Sequence, residues 1–77
     1  MPTFTALTTL EGKQAAEALG ADMEGLTPEP TGVGVFEIED GAGLWEVGGY
    51  FDEKPDEAGL ALLATMHGAK SFAVSEL

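Results

Sequence analysis

The apolar positions of this chain change period several times, and each change marks an element. Residues 2–9, "PTFTALTT", set Phe4 and Ala6 against Thr3, Thr5 and Leu7, the two-residue alternation of a threonine-rich strand. In "TLEGKQAAEALGADMEG" the period lengthens. Leu10, Ala15, Ala16, Leu19, Met23 and Leu26 recur at three- and four-residue steps, which line one face of a helix. Thr8 with Glu11 three residues on reads as a capping box at its start, and Gly25 as its stop. The loop "TPEPTG" follows, its prolines unsuited to a helix or a central strand. Gly20 inside the helix costs about 1 kcal/mol against alanine, so it reads as a point of close packing on a sheet.

Strand period returns in "GVGVFEIE", 32–39, and "LWEVGGYF", 44–51. "DGAG" between them is hairpin chemistry, with Gly41 and Gly43 as turn residues. Gly48 and Gly49 inside the second strand predict a bulge or a close backbone approach. A phosphate loop would need GxGxxG or GxxxxGK[ST] between strand and helix, and neither pattern occurs. "DEKPDEAGLALLATMHG" is helical again, with Leu60, Leu63, Ala64 and His67 on one stripe and Leu62 and Met66 beside it. Asp52, Asp56 and Glu57 suit the positive end of its dipole, Pro55 its first turn, and Gly68 its left-handed cap. "KSFAVSEL", 70–77, closes as a strand. The order β-α-β-β-α-β predicts the α+β ferredoxin-like fold, a four-stranded antiparallel sheet with two helices on one face.

Length allows one domain over residues 1–77, and a strand as the last element is expected to mark a cut between domains. There is no cysteine to supply a disulfide or a thiolate metal site, and 44% apolar content is ordinary for a folded domain. Charge is the unusual feature: fourteen carboxylates face three lysines, for a net −11. Too little cation is present to neutralise phosphates, which argues against nucleic acid and against an anionic membrane. A basic protein partner would be steered towards such a surface, which also serves solubility. With no long apolar run and no basic leader, a cytoplasmic location is expected.

Candidate chemistry is sparse. His67 is the only histidine and sits in the last turn of a helix, where the dipole favours its charged form, so a structural role is expected. Ser71 and Ser75 fall in a strand, outside any nucleophile elbow. The pairs Glu37/Glu39 and Asp52/Glu53 have the chemistry for a hard cation, but Glu37 and Glu39 form more simply the solvated side of a strand. No catalytic, cofactor-binding or metal residue is assigned. The hairpin does place Trp45, Val47 and Phe51 on one side, an apolar anchor for a protein partner if that side faces water, with Glu37, Glu39 and Glu46 as the acidic surround.

"PTGVGVFEIEDGAGLWEVGGYF", "PDEAGLALL" and "FAVSEL" together resemble the amino-terminal domain of the PrmA family, methyltransferases that modify large-subunit ribosomal protein eleven. The similarity runs from "TFTALTT" to the last strand and is most specific over residues 31–51. It implies a substrate-recognition domain whose catalytic domain, binding S-adenosylmethionine, follows residue 77. The partners implied are a lysine-rich ribosomal protein and the chain's own catalytic domain. No cofactor is implied within residues 1–77, because the glycine-rich cofactor motif and the Asn-Pro-type catalytic segment have no counterpart there. A reading of another class is a dimerising regulatory domain that binds a small metabolite, with Gly12, Gly20 and the Pro28/Pro30 loop lining the site. An RNA-binding sheet of this topology would need basic residues where Glu37, Glu39 and Glu46 stand.

Overall fold

A computed structural model of the chain describes residues 3–38 and 43–77. Its elements run β1 (Phe4–Glu11), α1 (Lys13–Met23), β2 (Gly32–Glu37), β3 (Leu44–Phe51), α2 (Glu57–His67) and β4 (Ala73–Glu76). The strands form one sheet in the order β2-β3-β1-β4, each neighbouring pair antiparallel. This is the βαββαβ arrangement that the periodicity predicts.

Alternation decides which side chains meet the helices. Ala6, Thr8 and Leu10 of β1 and Val47, Gly49 and Phe51 of β3 point to one face and are buried there. Ala16, Leu19 and Met23 of α1 and Leu60 and Ala64 of α2 cover them. Fully burying a side chain the size of Leu, Met or Phe stabilises by roughly 1.5–3 kcal/mol, so this layer supplies most of what holds so short a chain. The ends of the helices are joined by a 2.7 Å hydrogen bond between His67 Nε2 and Asp22 Oδ2. His67 is only 15% exposed there but Asp22 is 48%, so water screens the pair. His67→Ala is expected to cost about 1 kcal/mol, read as a lower urea midpoint. An unmoved midpoint would mean that the contact contributes nothing.

Several local expectations are corrected. β1 runs through Glu11, so Leu10 enters the core from the strand and not from α1. Thr8 caps nothing: its buried hydroxyl donates to the carbonyl of Lys70, tying β1 to the segment before β4. Pairing of Glu11 with Leu44 extends β1 past the capping signal, and α1 starts after Gly12, at φ 96°, without a side-chain cap. Helix α1 ends at Met23, two residues before Gly25. The register is continuous through Gly48 and Gly49 against both β1 and β2, so there is no bulge, and what comes close is side chain and not backbone: Leu7 at Gly48, Met23 and Phe51 at Gly49. Gly68 closes α2 at φ 68°, as expected. The turn residues Asp40 and Gly41 lie outside the described residues.

Candidate protein-docking face

The sheet face turned away from the helices carries the positions between the core ones. Leu7 of β1, Phe36 of β2 and Tyr50 of β3 stand on it, 41%, 61% and 53% exposed. Ile38, just past β2, is exposed as well and continues the alternation. Three residues of this face, Gly32, Gly34 and Gly48, have no side chain, which leaves a shallow groove of about 350 Å³ between Leu7, Phe36 and Tyr50. The larger side chains lean over the glycines. A Cβ on Gly34 would come within 2.5 Å of the Phe36 ring, and one on Gly48 within 2.3 Å of Leu7 Cδ2. The side chains of the groove lining are apolar except for the Tyr50 hydroxyl and Glu46, which is paired across the strands with Phe36. Such a surface can take up apolar side chains and place a carboxylate beside a cation.

The residues expected to form the anchor are distributed differently. Val47 and Phe51 are wholly buried beneath the helices and cannot touch a partner. Trp45 shares their face, half-buried and packed against the core. Val47 and Phe51 pack there with Leu19 and Met23 in the core, whereas three positions of the other face, Gly32, Gly34 and Gly48, have no side chain to fill space beneath a helix. Glu37 is exposed but lies opposite Trp45 and therefore on the helix side, whereas Glu46 lies on the open face. These two carboxylates do not form one patch. Glu39 lies outside the described residues. The large side chains exposed on the open face are instead Leu7, Phe36 and Tyr50, none of which the sequence pattern singled out.

The residues suggested for a metabolite site do not converge. Gly12 precedes α1 and the Pro28/Pro30 loop follows it, separated by a helix of 11 residues, roughly 16 Å. Gly20 faces Val35, whose Cγ2 would lie 2.9 Å from a Cβ there, so its missing side chain is occupied by core packing. No three His, Asp or Glu side chains among the described residues are grouped to hold a metal ion. No described helix is long and apolar enough to cross a membrane. Fold and face together define a ferredoxin-like domain with an open, glycine-grooved sheet face. No family model and no curated protein matches the chain.

Proposed function

We propose that this chain is a protein-docking domain that receives a basic protein on its open sheet face. The observation that carries this reading is the cluster of Leu7, Phe36 and Tyr50 around the Gly34/Gly48 groove in a chain of net charge −11. Apolar anchors in a charged setting divide the labour of recognition. The carboxylates accelerate encounter, and the buried aromatic contacts slow dissociation. The likeness of residues 31–51 to the PrmA recognition domain supports a more specific form. In that form the domain presents a lysine-rich large-subunit ribosomal protein to an S-adenosylmethionine-dependent methyltransferase domain following residue 77.

The test compares the methyltransferase with and without residues 1–77, at low and high salt. Removal is expected to lower kcat/KM for the intact protein substrate and to leave cofactor affinity nearly unchanged. Salt should weaken turnover steeply only when the domain is present. Equal kcat/KM in both forms, with no salt sensitivity, would remove the recognition role.

A further inference from the structure

Strand β2 is an edge of the sheet, and apart from the charge of Glu37 at its end nothing in it blunts that edge. Edge strands commonly carry lysine, proline or a bulge against uninvited pairing. The sequence of β2, "GVGVFE", has neither lysine nor proline, and its register with β3 is unbroken. Ile38 N–H donates to the carbonyl of Leu44, directly opposite it, at 3.0 Å. In an antiparallel ladder the hydrogen-bonded pairs alternate, so Gly34 and Phe36 also turn their backbone groups to β3. Val33, Val35 and Glu37 therefore aim their N–H and C=O groups away from the sheet. None of the three has a backbone partner outside the β2–β3 ladder among the described residues.

The surroundings of that edge differ on its two sides. On the open face lies the apolar groove with Phe36 and Tyr50. On the helix side a second depression of about 270 Å³ separates β2 from α1, with Glu17, Ala21 and Glu24 along its upper wall. Val33 borders both. An added strand would lie about 4.8 Å from β2 and send successive side chains alternately to the two faces. Its residues on one side would meet Phe36 and the glycine groove, and those on the other Glu17 and Glu24. Those two glutamates are about 10 Å apart along α1, and same-face residues of a strand repeat about every 7 Å, within the reach of lysine stems.

We infer that β2 accepts an extended segment of the partner as a fifth strand, and that this segment alternates apolar with basic residues. The inference rests on the sheet being the docking element, and adds how the partner is read: backbone pairing gives the register, alternate side chains the specificity. A second copy of the chain is the wrong occupant for this edge, because it would bring −11 against −11 and place Glu17 and Glu24 opposite their like.

The test uses the isotopically labelled chain and a synthetic peptide alternating lysine and valine. Peptide is expected to slow amide hydrogen exchange at Val33, Val35 and Glu37, while a glutamate–valine peptide leaves it unchanged. An N-methyl group on the Val35 amide, introduced by chemical ligation, removes one outward donor and leaves the β3 ladder intact. It is expected to weaken the lysine–valine peptide about tenfold. Binding without protection of these three amides would overturn the inference. So would their protection in the absence of peptide together with a doubled mass on a sizing column, which would mark self-pairing. The basic partner protein separates the two claims. If its binding is lost in Phe36→Ser but kept by the N-methylated chain, face docking stands and edge pairing falls. If it is lost on N-methylation but kept in Phe36→Ser, edge pairing stands and face docking falls.

Discussion

Gly49→Val is expected to destabilise the domain by about 2–3 kcal/mol, while Gly48→Val, one residue away, costs less than about 1 kcal/mol. The two glycines are neighbours in sequence and opposite in situation. A Cβ on Gly49 would lie 2.9 Å from Met23 Cε and 3.1 Å from Phe51 Cε1. Both side chains are completely buried, so neither has an exit, and pairing with Ala6 on one side and Val33 on the other fixes the backbone. Overpacking of that kind displaces α1 from the sheet. At Gly48 the close atom is Leu7 Cδ2, at 2.3 Å, but Leu7 is 41% exposed and can swing into water. Valine's strand preference then offsets part of the strain. A domain of 77 residues has only a few kcal/mol in reserve, so the first variant should lose much of its cooperative transition. Urea midpoints measure both; equal midpoints would show that helix-side packing at Gly49 is not tight.

The double change Phe36→Ser with Tyr50→Ser is expected to raise the Kd for the proposed basic protein partner by about two orders of magnitude. Both rings stand more than half in water, at 61% and 53%, so folding should lose little. Trp45→Ser is expected to behave in the opposite sense. Trp45 packs against the core, and its loss should lower the urea midpoint by about 2 kcal/mol while sparing partner affinity in the fraction that stays folded. Weaker binding in Trp45→Ser than in the double variant would return the anchor to the helix side.

The fold was legible because strand and helix periods are well separated and the loops "TPEPTG" and "DGAG" break the chain between elements. Local signals that compete with long-range pairing were less reliable. Thr8 and Glu11 match a capping box, yet pairing of β1 with β3 and the buried hydroxyl contact to Lys70 outweigh one cap. Which side of the hairpin meets the helices stayed open. Both sides of β3 carry apolar residues, Trp45, Val47 and Phe51 on one and Leu44 and Tyr50 on the other, so alternation alone does not orient it. The glycines carried the missing signal. Gly32, Gly34 and Gly48 share a face, and a face with three missing side chains cannot fill the space beneath two helices. Phe36 and Tyr50 follow from that as exposed. The outward-facing backbone of Val33 and Val35 was beyond the sequence, since it depends on β2 lying at the sheet edge and on which pairs of the ladder are bonded.

The most direct test of the proposed docking surface is an NMR titration of the labelled chain with the lysine-rich large-subunit ribosomal protein proposed as its partner, following every backbone amide. The result expected is that shifts concentrate on the open face, at Leu7, Gly34, Phe36, Gly48 and Tyr50, and shrink as salt rises. Shifts confined to the outer faces of the helices, as at Leu62 and Met66 exposed on α2, would contradict it.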